Sequence, residues 1–197
     1  MNKANFPTAY LPSREYFLAL AQYDAIAIET EERWMRQTVR NRAFILSTNG
    51  LYCLNVPVEK SRSGKQLIRD VRISYNDPWI RVHKGAISSA YNVSAFFEFF
   101  KDDMWAIYDR KPEFLLDLNF AFLELFVKKF KLKTSLNSSR FSDVSEVRTL
   151  LGSASTPDPV QVDVPLLRSY PQVFGHKHPF LPNLSGLDIL ANTGSLF

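Results

Sequence analysis

The 197-residue chain has a single cysteine, Cys53. No intramolecular disulfide can form, which excludes a small fold stapled for an oxidising compartment and leads us to expect a cytoplasmic protein. Glycine is scarce as well. The seven present are nowhere spaced as G-x-G-x-x-G or G-x-x-x-x-G-K, so the common glycine-rich phosphate cradles are missing, as is the G-x-S-x-G elbow of a serine hydrolase. No block of like charge occurs: the formal charge of +4 is spread among acids, which argues against nucleic acid as a partner. Long apolar runs are lacking too. The longest, residues 114–127, is broken by Asp117, Asn119 and Glu124, which is too polar for membrane insertion, and no charged-then-apolar leader opens the chain. Of three histidines, His176 and His178 form an H-x-H pair with no further ligand nearby, so no metal site is expected.

What is present is apolar bulk. Hydrophobic residues make up 46% of the chain and aromatics 14%, enough for one sizeable core, and we expect a single domain over residues 1–197. The N-terminus reads as a strand at 6–11, a helix capped by Ser13 with Tyr16, Phe17 and Leu20 on one face, and a strand at 24–29. So tight a β-α-β unit favours a parallel pair with a right-handed crossover. Ligands of such sheets sit beyond the carboxyl ends of the strands, here residues 10–12 and Glu29. A hairpin follows, 43–47 with 51–56, around an Asn49-Gly50 that tolerates positive φ.

Further along, residues 68–73 alternate like a strand. Asp77 at the cap and Pro78 at the first helical position mark a helix with Trp79, His83, Ile87 and Tyr91 as an inward stripe. A second helix is expected after Ser94, a third over 112–130 that is apolar almost all round and so the most buried, and a last one capped by Asn183. Between these, residues 138–165 combine an amphipathic piece at 144–151 with a Ser-, Thr- and Pro-rich stretch, read as a mobile loop over about 152–165. The fold class is α/β: a small mixed sheet with an N-terminal β-α-β unit and a β-hairpin, packed by several aromatic-rich helices.

Candidate chemistry gathers where an arginine-rich segment leaves the second strand. Thr30 can cap a short helix on which Arg33, Arg36 and Arg40 share a face, either as a solvated surface with Glu32 paired to Arg36 or as an anion site. Arg40 and Arg42 flank Asn41 at a strand entrance, where guanidinium forks can converge on a phosphate or carboxylate. His83 is either a core histidine or a proton-transfer group. Asn119 faces the apolar side of its helix, so its amide either ties a neighbouring backbone or lines a polar pocket. Glu29 is a helix-capping acid, a general base or an orienter of Arg40. Together these give a crevice in which His83 or Glu29 is catalytic. Arg36, Arg40, Asn41, Arg42 and Asn119 bind an anion or substrate there, and Tyr10, Trp79 and Tyr91 pack a sugar or base.

Several stretches carry a family likeness: TAYLPSREYF (8–17), RQTVRNRAFI (36–45) with NGLYCLNVPV (49–58), RDVRISYNDPW (69–79), SAYN (89–92), FFEFF (96–100), FLLDLN (114–119) and VFGHKHPFLPNLSGLDILAN (173–192). In this order, and over nearly the whole chain, they resemble the bacterial WbqC-like family. The resemblance implies a role in surface-polysaccharide biosynthesis, including O-antigen, and a transferase activity such as aminoacyl (glycine) transfer to a sugar. The expected partner is then a small-molecule substrate: a nucleotide sugar, a sugar phosphate or an activated amino acid. No cofactor and no catalytic residues carry over. The chain departs from the family pattern at Lys84, where an aromatic is common, at Phe100 for Tyr, and at Gly194-Ser195 for Gly-Pro. The alternative is a non-catalytic binding or assembly protein of the same pathway.

Overall fold

A computed structural model describes residues 2–60, 66–137 and 168–197. The expected loop over 152–165 and the amphipathic piece at 144–151 lie outside the described residues. Strands β1 (Lys3–Pro7) and β2 (Ala25–Glu29) pair in parallel with Pro7 opposite Glu29, and β5 (Ser135–Asn137) joins the other edge of β2. This is the expected β-α-β unit, with helix α1 (Arg14–Leu20) as the crossover. The Ser13 hydroxyl caps α1 by accepting from the Tyr16 amide at 3.3 Å. Strand β1 stops at Pro7, short of Leu11, because the Tyr10 amide is spent on the Val39 carbonyl and Leu11 turns the chain at φ +41°. Strands β3 (Arg42–Ser47) and β4 (Gly50–Asn55) make the expected hairpin, with Gly50 at φ +98°.

Three expectations fail for one reason, long-range backbone pairing. No helix forms over 30–41: the Trp34 amide goes to Gln66 and the Glu32 carbonyl takes the Ile68 amide. These bonds replace helical ones, so Arg33, Arg36 and Arg40 share no helical face. Residues 68–73 are not a strand but a short 3-10 turn (Ile68–Asp70) flanked by single bridges, with Ile68, Val71 and Ile73 still buried. The helix expected after Ser94 is split, because the Phe96 amide docks on Ala191. A 3-10 turn (Phe97–Phe99) then precedes helix α3 (Lys101–Asp109).

Helix α2 (Trp79–Tyr91) begins one residue late, with Pro78 at its cap, and keeps its inward stripe: Trp79, His83, Ile87 and Tyr91 are all buried. Helix α4 (Leu115–Lys129) is wet along Asp117, Glu124 and Lys128, whereas every residue of α1 is buried, so α1 and not α4 is the most buried helix. Ser185, not Asn183, caps α5 (Gly186–Thr193), its hydroxyl accepting from the Leu187 amide. The core is a relay of ring contacts: Tyr108 on Phe122 at 5.0 Å, Phe122 on Phe126, and Phe126 on Phe17 at 5.7 Å. Among the described residues no helix is long and apolar enough to cross a membrane.

Helices α2 and α5 are locked by one buried carboxyl. Asp188 accepts from the Tyr91 hydroxyl at 2.9 Å, the Tyr170 hydroxyl at 2.6 Å and the Gln172 amide at 3.1 Å. Desolvation raises its pKa, while the three donors oppose that rise. Tyr91→Phe removes one of these donors. It should lower stability by about 1.5–3 kcal/mol, read as a lower urea midpoint at unchanged slope; an unchanged midpoint would show that the lock carries no weight.

Candidate functional site

Thr8 follows β1 directly and Glu29 ends β2, so both stand at the carboxyl edge of the parallel sheet. Asn119 reaches this edge from α4. Its amide nitrogen donates to the Thr8 hydroxyl at 3.1 Å and to the Arg40 carbonyl at 2.8 Å. Two oxygen acceptors fix which end of the amide is nitrogen. Among the described residues the fully buried Oδ1 has no hydrogen-bond partner. Such a group is uncommon and costs about 1–3 kcal/mol.

The arginines divide. Arg40 is clamped by Glu32 through both arms of its guanidinium, Nε to Oε1 at 2.7 Å and a second, close contact to Oε2. Its charge is largely taken up within the protein, and Glu32 pairs with Arg40 rather than with Arg36. Arg42 donates Nε to the Asn55 side chain at 3.3 Å, and Arg36 is exposed in the turn before it. Asn41 is buried and donates to Asn55 Oδ1 and the Val56 carbonyl, at 3.1 and 3.0 Å, so its own Oδ1 is also left over. Glu29 Oε1 accepts the Glu31 amide at 3.0 Å.

Beneath this edge lies a second polar chain. The Tyr10 hydroxyl meets His83 Nδ1 at 2.8 Å and, more closely, the Tyr108 hydroxyl. Burial drives the His83 pKa down to about 4, opposed by a hydrogen bond to the Asn55 backbone. The imidazole is therefore neutral at pH 7, and with Tyr10 as the donor to Nδ1 its proton sits on Nε2. Burial likewise raises the Tyr10 and Tyr108 pKa values. Trp79 packs edge-on against His83 at 5.0 Å, and its buried Nε1 finds no acceptor.

Of the candidates read from sequence, Tyr10, Trp79 and His83 thus form one cluster and Arg40 and Asn119 another, with Asn41, Arg42 and Asn55 between them. Tyr91 belongs to the Asp188 lock instead. His178 hydrogen-bonds the Thr48 carbonyl through Nε2 at 3.1 Å. No group of three or more metal-ligating side chains occurs among the described residues.

Sequence reasoning gave Glu32 to Arg36 instead of Arg40, and missed Thr8, Asn55 and the pair Arg14–Glu15. The last two sit in the first turn of α1 and are 5% and 4% exposed, with Arg14 Nε and Glu15 Oε2 unpartnered among the described residues. Arg14 donates to the Arg168 carbonyl at 2.8 Å and lies over the Tyr170 ring. Burial raises the Glu15 pKa to about 7 against the pull of Arg14. In sequence the pair looks like a solvated first turn, and nothing local marks its burial.

A sequence model described as the WbqC-like protein family matches residues 8–152. The match spans both clusters, from Thr8 to Asn119. The chain belongs to the WbqC-like family. Among curated proteins it is similar to uncharacterized protein Rv1507c of Mycobacterium tuberculosis (strain ATCC 25618 / H37Rv), 31% identical over 99 residues, half of this chain and 42% of the relative. The chain thus matches less than half the length of that relative. No solved structure matches it significantly.

Glu15 and His83 give this WbqC-like protein opposing pH dependences. Folding binds a proton at Glu15 between about pH 7 and 4.5, so that group adds stability as pH falls. Folding expels a proton from His83 between pH 6.5 and about 4, so that group removes stability over nearly the same window. Each effect amounts to about 3 kcal/mol at most. Urea midpoints measured against pH should therefore fall steeply below pH 6.5 in Glu15→Gln and rise from pH 7 to 4.5 in His83→Gln. Parallel profiles for the two variants would contradict the assignment.

Proposed function

We propose that this WbqC-like protein is a transferase of bacterial surface-polysaccharide (O-antigen) biosynthesis, moving a small aminoacyl group, such as glycine, from an anionic activated donor to a sugar. The observation that carries the reading is Asn119: a buried amide with a spare acceptor, at the carboxyl edge of two parallel strands, where α/β sheets bind ligands. Arg36 and Arg42, at the rim, hold the phosphate or carboxylate of the donor, while Arg40, neutralised by Glu32, shapes the wall. Glu29 takes the proton of the sugar hydroxyl or amine as it attacks the donor carbonyl, and the anionic leaving group stays with the arginines. His83 is buried with Nδ1 on the Tyr10 hydroxyl, so its part is to position Tyr10. Tyr10 and Trp79 back the pocket.

A second reading, a non-catalytic binding or assembly protein, is favoured by one feature. Val93 and Phe99 are 82% and 74% exposed at the turn after α2, beside Phe96, an apolar corner of the kind partners cover.

A thermal-shift screen with nucleotides, nucleotide sugars, sugar phosphates and amino acids separates the two. A ligand of the native state at a hundredfold excess over its Kd stabilises by about 2.7 kcal/mol, a shift of several degrees. The transferase reading expects one ligand class to do this for the wild type and to fail with Arg42→Ala. That variant itself should melt within about a degree of wild type, since Arg42 loses only a surface hydrogen bond. Silence from every class would favour the binding protein.

A further inference from the structure

Gly85 lies midway along α2, where glycine weakens a helix relative to alanine. Nothing inside the protein repays that. A Cβ built on Gly85 meets no atom within 4 Å, and its backbone is not in the left-handed region. The bare backbone instead floors a groove of about 520 Å³ between α2 and the hairpin.

Across from Gly85 stands Tyr52, 38% exposed, whose ring stacks on no other aromatic among the described residues. The rest of the lining includes Thr48, Asn49 and Ser89, neutral groups that can give and take hydrogen bonds, and a single charged side chain, Arg81. Arg81 has no ion pair among the described residues and also borders a second groove of about 390 Å³, walled by Tyr75 and by Asp77, Lys84, Asp109 and Lys111, with Lys84 paired to Asp109. Over the two grooves three cations face two carboxylates, so a surface with an open aromatic face and hydroxyl and amide partners does not suit an acidic peptide, which would need several unmatched cations. It lacks the deep apolar pockets that anchor a helix. It suits a chain of flat, hydroxyl-rich rings carrying at most an isolated negative charge.

We propose that this paired groove binds a linear oligosaccharide. One ring lies between Tyr52 and the Gly85 backbone, the next unit continues past Arg81 towards Tyr75, and Arg81 receives an acidic substituent. The choice of a glycan among hydroxyl-rich ligands rests on the polysaccharide reading above; the existence of the site does not.

The full chain, biotinylated, is applied to a printed array of bacterial surface oligosaccharides and to an array of acidic and neutral peptides. The affinity for the best glycan is then measured by calorimetry for wild type, Gly85→Trp, Tyr52→Ala and Gly85→Ala. The wild type should bind glycans and not peptides, Gly85→Trp and Tyr52→Ala should each weaken binding at least tenfold, and Gly85→Ala should raise the melting temperature. The proposal is overturned if no glycan binds, if only peptides bind, or if Gly85→Trp binds as the wild type does. It is equally overturned if Gly85→Ala melts lower, since the fold would then need the glycine. Donor stabilisation is read on Arg42→Ala and glycan affinity on the groove variants, so either reading can fail while the other stands.

Discussion

A buried histidine that must stay uncharged holds the fold together. The chain from Tyr108 through Tyr10 and His83 to the Asn55 backbone ties α3, the exit of β1, α2 and β4. Either hydroxyl can donate, so the direction of the chain follows the imidazole tautomer, and a single proton on Nε2 lets Tyr10 donate to Nδ1. A second proton would turn Tyr10 into an acceptor and place a charge among buried aromatic rings, which desolvation opposes. Because Tyr10 also gives its amide to Val39, and Asn55 takes both Asn41 and Arg42, the same chain fixes the loop that carries the arginines.

What this scaffold presents at the edge of the sheet is closer to neutral than the run of arginines implies. Arg40 is matched by Glu32, and the groups left over nearby, Asn41 Oδ1 and Asn119 Oδ1, are acceptors. Positive charge is left to Arg36 and Arg42 at the rim. Such a division suits a site that meets an anion at its mouth and hydroxyl or amine donors deeper in. Asp188 plays the matching part at the other end of α2, a buried acid satisfied by three donors from two segments.

Elements whose signals are local were legible in the sequence. The β-α-β unit, the Asn49-Gly50 hairpin and the stripe from Trp79 to Tyr91 depend on periods of two and near four and on turn chemistry, all carried by neighbouring residues. The segment at 30–41 was not legible, because its backbone partners, Gln66 and Ile68, lie some thirty residues away. The Arg40–Glu32 pairing, eight residues apart, and the role of Asn55 depend on the path that this segment takes, and were hidden with it. Glu15 and Arg14 were hidden differently. Their composition is that of a solvated helix start, and only the assembled core shows that α1 has no wet face. Asn119 could be flagged from its place on an apolar face, but its two acceptors could not be named. The family was legible from spread motifs, whereas the roles of individual residues were not.

The most direct test of this account is a long-range proton–nitrogen NMR spectrum of the His83 ring. It should show a neutral imidazole with its proton on Nε2 at both pH 7 and pH 5.5, titrating only near pH 4. An imidazolium at pH 6, or a proton on Nδ1, would mean that the chain from Tyr108 to Asn55 is not what orders the core.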